Sequence, residues 1–478
     1  MFVFLILFFI NSINEIYSSY ILLPFKTEKQ NNNYIESKYD INLHTYIEIG
    51  EPKRKLKIYF RDEFFSFFIS NKDITYNEEE TKEIKIPYKY VKKYIYDLYD
   101  NKLSFTYKNI SDYKNFFIDI YYRKGYLSTE TFYFNTSNQI KRFNNLNFVL
   151  INKIKPEKSL ISGAIGLLVD EYSLEGAQSF AKMLVKKNVT SLCLWSKIYD
   201  NDNNGIFIFG DYPHSFYNNK FFEDQYIETN IKLNTYKQKW NIDFKEIFFE
   251  IKNNNSNDND VYTIYLNKTL YGELRHNFGL IIGTVEYHNL IENAFFKSYI
   301  KNNICHKKII LINDFNDNKV NYTYYYCYNV ESFLKEEFPK LFLKQKELNY
   351  TFELDENDLF TLFDDKWYFM IIFEGEETKN QMHKWFFGEP LLKKYIFVFD
   401  PINYKIGFYN PNIFTENPKR TNKISELKDK KIYIFIIATL IIIIVFSLIF
   451  HKRKKFCFYA ENKAQPYTEL QSLSIQKK

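Results

Sequence analysis

No Cys-x-x-Cys pair, His-x-x-x-His pair, Gly-x-Ser-x-Gly elbow or glycine-rich phosphate loop occurs in the 478 residues. Those absences remove the spacings that hold zinc, activate a serine or cradle a nucleotide phosphate, and neither a metal nor a cofactor is expected. The seven histidines are scattered along the chain and read as surface residues. A strong charge of one sign is missing too. From His451 onward there are seven Lys/Arg against two Glu, a net of +5, while the whole chain carries +6. Everything before that tail is near neutral, so the basic character points to a membrane surface and excludes nucleic acid as a partner. Aromatics make up 20 % of the chain, with much Ile, Lys and Asn, as in products of AT-rich genomes. The asparagine runs at 31–33 and 253–260 read as surface insertions.

Long apolar runs are confined to the two ends. Residues 2–10 are continuously apolar and too short to span a bilayer, with polar and small residues following. Residues 1–19 therefore read as a secretory signal peptide, with cleavage near Ser18/Ser19 or near Asn14. Residues 432–450 form an uncharged run of nineteen, long enough to span. Lys430-Lys431 precede it and His451-Lys452-Arg453-Lys454-Lys455 follow, the bias expected of a cytoplasmic tail at 451–478. The expected topology is single-pass type I, with residues 413–431 as a juxtamembrane linker. Asn-x-Ser/Thr sequons at Asn109, Asn135, Asn188, Asn254, Asn267, Asn321 and Asn349 all lie between the two runs, as a glycosylated lumenal ectodomain requires. About half of them are expected to be used, since an Asn-rich chain makes sequons by chance. Cys305 and Cys327 enclose a polar stretch and can close a disulfide loop in an oxidising lumen. Cys193, in an apolar run, reads as a buried thiol. Cys457, just past the span, is either palmitoylated or inert.

Between residues 39 and 410 short alternating or apolar runs are separated by Asn, Asp, Gly and Lys, which excludes a parallel α/β sheet and predicts an all-β-dominated ectodomain. Helical spacing is clearest over residues 173–187, with Ser173 as a candidate cap. Residues 385–409, WFFGEPLLKKYIFVFDPINYKIGFY, read as a strand stopped by Gly388-Glu389-Pro390, then a short turn. A strand over 395–399, an Asp400-Pro401 turn and a strand over 405–409 complete a hairpin.

The wording of that segment resembles the C-terminal signature of the pepsin-like (eukaryotic) aspartyl proteases. Further pieces match the family in order. Tyr46-Ile47-Glu48-Ile49-Gly50-Glu51-Pro52 resembles its first strand and Gly-x-Pro turn. Tyr121-Tyr122 and residues 125–132 resemble the flap and its return strand, with Tyr122 at the flap tyrosine. Ser162-Gly163-Ala164-Ile165-Gly166-Leu167 is similar to the Asp-Gly-Ile-Leu-Gly-Leu loop. The run Gly205–Gly210 with Asp211 and Tyr217, and the Trp240-Asn241-Ile242 opening, follow in order. The resemblance implies a bilobal fold with lobes at 40–230 and 231–412 and a peptide-binding cleft between them.

It also implies two catalytic aspartates, each in an Asp-Thr/Ser-Gly turn and sharing a proton across a water. Matching the apolar runs on both sides of the first turn puts Arg61 at the aspartate, Asp62 at the Thr and Glu63 at the Gly. A slip of one would bring Asp62 into place and spoil the downstream match. At the second turn Arg275 takes the aspartate position, with His276 and Asn277 next. No carboxylate lies between Glu273 and Glu286, so the second acid is missing in any register. Either the two arginines bind a shared anion bidentately, or Arg61 pairs with Glu63 or Asp62 while Arg275 points to solvent. The leading expectation is a membrane-anchored pseudoprotease that binds peptide or protein in its cleft. The alternatives are a divergent aspartic endopeptidase and a purely structural surface antigen. In the tail, Tyr467-Thr468-Glu469-Leu470 has the Tyr-x-x-apolar form read by clathrin adaptors, with Tyr467 and Leu470 as its anchors. A plain solvated tail is the other reading.

Overall fold

Alternation of apolar and polar residues sets most of the chain as strands. Leu56, Ile58 and Phe60 turn inward from Arg54–Arg61, as Ile21, Leu23 and Phe25 do from Ile21–Thr27. The computed structural model describes residues 20–410, except 29–32, 63–65, 77–97, 111–123, 137–138, 155–160, 169–178, 191–193, 200–203, 218–219, 232–238, 252–259, 265–269, 314–318, 349 and 376–383. The described residues belong to one compact unit that ends at Pro411. They are strand-dominated, as expected, and form one sheet of thirteen strands and one of twelve.

A repeat relates the two sheets. In the first, Arg54–Arg61 runs parallel to Gly163–Gly166, pairing Phe60 with Ile165 and Arg61 with Gly166. Gly163–Gly166 is in turn antiparallel to Phe67–Tyr76, which runs parallel to Ile140–Ile154. In the second, Leu270–Leu274 is parallel to Lys384–Phe387, which is antiparallel to Ile281–Gly283, itself parallel to Ile371–Glu374. The registers agree residue by residue. Gly166 N–H donates to Ser66 O and Gly388 N–H to Leu280 O, both at 3.0 Å. Ser66 lies five residues after Arg61, and Leu280 lies five after Arg275. The repeat therefore makes Arg61 equivalent to Arg275, and Asp62 to His276.

The expected division at residue 231 does not separate the sheets. The closing hairpin forms, with Val398 opposite Gly407, but it adds to the first sheet through Phe399 opposite Trp195 and Phe408 opposite Ile227. Ile21–Thr27, before the expected start at 40, pairs with Gly205–Gly210 within the same sheet. Buried rings of both sheets merge into one apolar cluster around Trp195, Trp240 and Phe399. There Trp240 Nε1–H donates to Leu167 O at 2.7 Å.

Two local expectations change. After Gly388 the chain enters a helix, Glu389–Lys394, not a turn, because Pro390 presets the first turn and Leu391 and Leu392 bury. Gly388 is required by close approach, since a Cβ there would collide with Phe278 O. The helix expected over 173–187 is described as Phe180–Lys186, capped by Ser179 rather than Ser173, with 173–178 outside the described residues. Gly50 has φ +78° and makes the turn between Leu43–Ile49 and Arg54–Arg61. Among the described residues no helix is long and apolar enough to cross a membrane; the expected signal peptide, the expected span at 432–450 and the expected tail lie outside them.

Candidate functional site

The two equivalent turns meet at Asp62. Inward alternation of Leu56, Ile58 and Phe60 puts residue 62 on the buried side, and the Asp62 side chain is almost wholly enclosed. Its carboxylate accepts the backbone N–H of His276, the His276 ring at Nδ1 (2.7 Å) and the Asn277 N–H (2.9 Å). Burial alone pushes this carboxyl up. The His276 contacts, the Asn277 N–H and the nearby Arg275 outweigh burial and hold it below the usual carboxylate range. Burial also pushes His276 down against the pull of Asp62, so a neutral ring with its proton on Nδ1 serves the ionised carboxylate. The ring stacks on Trp195 at 4.9 Å and meets Phe399 edge-on at 4.4 Å.

The reading of histidines as surface residues is corrected here. His276, His44 and His288 are all buried, because aromatic neighbours enclose them: Tyr59 beside His44, Trp195 beside His276 and Phe373 stacked on His288. Local sequence carries no signal for such burial.

The expected pairing of Arg61 with Asp62 and the expected solvent-facing Arg275 are corrected too. Arg61 does not pair with Asp62; its guanidinium binds Asp40 through NH1 at 2.8 and 3.1 Å and donates through NH2 to Asn42. Glu63 lies outside the described residues. Arg275 does not point to solvent. It is buried and its Nε lies 2.6 Å from Glu273, a carboxylate that also pairs with Lys239 at 3.2 Å and with Lys384. Burial pushes Glu273 up, but Arg275, Lys239 and Lys384 together hold it below its ordinary value. Arg61 thus meets Asp40, and Arg275 shares Glu273 with two lysines. Part of the signal for Glu273 was available, since it lies two residues before Arg275, near the end of the strand Leu270–Leu274.

Beneath the junction is Lys197, a lysine in the midst of Gly205–Gly210's neighbour strand that sequence reasoning did not single out. Its Nζ donates to His276 O, and its charge lies over the Tyr199 ring at 4.5 Å. Burial pushes its pKa from 10.5 down to about 7, against the opposing pull of Glu389 and Asp62.

Other expected sites divide by where they fall. Cys305 and Cys327 are joined as a disulfide between directly paired strand residues. Asn109, Asn135, Asn188 and Asn321 are all exposed. Tyr122, Cys193, Asn254, Asn267, Asn349, Cys457, Tyr467 and Leu470 lie outside the described residues. No group of three or more His, Cys, Asp or Glu that could hold a metal occurs among the described residues. No protein-family model matches the chain, and no curated protein matches it either.

Proposed function

We propose that the chain is a membrane-anchored relative of the pepsin-like aspartyl proteases that has lost catalysis and serves as a peptide- or protein-binding module. The carrying observation is the pair of equivalent turns: the repeat aligns Arg61 with Arg275, and each guanidinium lies against a carboxylate outside the turn, Asp40 for Arg61 and Glu273 for Arg275. Acid–base cleavage by this family needs two carboxylates with a water between them. Asp62, the carboxylate held between the two turns, is committed to three N–H donors. The paired cysteines and exposed sequons support a secretory route and a type I topology, with a cell-surface or endosomal destination. A clathrin adaptor is the proposed reader of Tyr467 and Leu470.

The test is incubation of the purified ectodomain with an unfolded protein across acidic to neutral pH, with peptide binding followed in parallel. Saturable binding without cleavage is the expected result. Cleavage that a pepsin-type transition-state inhibitor abolishes would restore the endopeptidase reading. Neither cleavage nor binding would leave a structural surface antigen.

A further inference from the structure

The helix Tyr34–Tyr39 ties the second sheet to the first. Ile35 and Tyr39 are buried against Phe278, Leu280, Tyr322 and Ile372 of the second sheet, and Gly279 N–H donates to Lys38 O at 2.8 Å. Directly after the helix, Ile41 N–H donates to Asn277 O at 2.7 Å, and the chain continues into Leu43–Ile49 of the first sheet. Asp40 stands between, at the C-terminal end of the helix, where the helix dipole disfavours a negative charge. Its carboxylate is held instead by Arg61 NH1 at 2.8 Å and by Asn277 Nδ2 at 3.0 Å, one donor from each repeat turn.

Accessibility sets the direction from which this contact is made. The Arg61 side chain is 13 % exposed and that of Asp40 is 44 % exposed, so the guanidinium lies inside and the carboxylate covers it from the solvent side. A second carboxylate can arrive from that side without opening the core. The Arg275 site differs, because its side chain is 6 % exposed and Glu273 is 3 % exposed, which seals that pair from an outside anion.

We propose that Arg61, Asn42 and Asn277 form a carboxylate-binding site that the chain fills with its own Asp40, and that an acidic peptide segment is the ligand that displaces it. Asn42 fixes the guanidinium by accepting from NH2, leaving NH1 to face the incoming acid. Asn277 supplies the second donor, so the site distinguishes a carboxylate from an amide, which would turn an N–H toward the guanidinium. The inference rests on the binding-module reading and names its ligand chemistry. The helix of six residues is too short to hold its form alone, so the tie is kept in place by these contacts and by its packing.

The test uses the full ectodomain with Asp40→Ala, the double variant Asp40→Ala/Arg61→Ala, and two probes: sodium acetate, and the tripeptide acetyl-Gly-Asp-Gly-amide beside its Asn twin. Acetate is expected to raise the melting temperature of Asp40→Ala saturably, and to leave the parent and the double variant unchanged at equal ionic strength. The Asp tripeptide is expected to bind Asp40→Ala at least about tenfold tighter than the parent, with the Asn twin binding neither. Should Asp40→Ala not fold, acetate restoring its folding supports the site, and failure to fold at every acetate concentration overturns it. Equal acetate response in the double variant, or equal binding of both tripeptides, also overturns it. Cleavage of an unfolded protein by the parent would refute the non-catalytic reading while leaving the site standing; absent cleavage with absent tripeptide binding removes the site alone.

Discussion

Asp62 and Lys197 carry opposite charges within the same buried junction, and their linkage to pH runs in opposite senses. The folded-state pKa of Asp62 is depressed, so its contribution is complete above the unfolded carboxyl value of about 4 and is lost as pH falls through the lower folded value. Asp62→Asn is therefore expected to cost about 3 kcal/mol at neutral pH, because the His276 and Asn277 donors lose a charged acceptor. The parent and variant stabilities should converge below about pH 4, as urea unfolding at stepped pH will show. Lys197 behaves differently. Its folded pKa of about 7 lies below its ordinary 10.5, so between those values the unfolded chain holds a proton that the folded chain has shed. Stability from this group rises with pH across that window, and its burial cost is complete below about 7. Lys197→Met is expected to gain most relative to the parent near pH 6 and least near pH 10, as urea midpoints at the two pH values will show. A constant difference at both would contradict the burial of a titrating lysine.

At the scale of elements, Cys305–Asn313 and Lys319–Tyr328 form a hairpin pinned at its open end by the disulfide across 22 residues. Closing a loop of that size stabilises by about 3 kcal/mol in the chain-entropy account. Replacing both cysteines by serine should lower stability by that order in chemical unfolding, and treatment with a reductant should lower the parent's melting temperature toward the variant's. A reductant with no effect would mean that the pair is not oxidised in the folded protein. The hairpin 397–409 shows a different kind of stability. Asp400 accepts from the N–H groups of Ile402 and Asn403 at 2.9 Å each, which fixes the turn locally. Its strands then find partners more than a hundred residues away, in Leu194–Tyr199 and Tyr226–Asn230. Local turn chemistry made the hairpin readable in sequence, whereas its place in the first sheet depends on pairing that no local pattern encodes.

At the scale of the molecule, strand content, the closing hairpin, the Gly50 turn and the Cys305–Cys327 pair were legible because each depends on alternation, turn residues or a short loop. The alignment of Arg61 with Arg275 was legible from flanking apolar runs, and the repeat of strand registers supports it independently. What the arginines bind was not legible. Asp40 reaches Arg61 over 21 residues, and Asp62 reaches His276 over 214, through the meeting of two turns. Buried histidines and Lys197 escaped for the same reason, since their enclosure comes from distant aromatic rings. The repeat, the two aligned arginines and the committed Asp62 support the proposed account of a non-catalytic module. A pepsin-type transition-state inhibitor tests that account most directly, because its hydroxyl group must sit between two carboxylates that share a proton. Titration calorimetry of the ectodomain at about pH 5 should show no binding of the inhibitor at micromolar concentration. Tight one-to-one binding that Asp62→Asn abolishes would contradict the account.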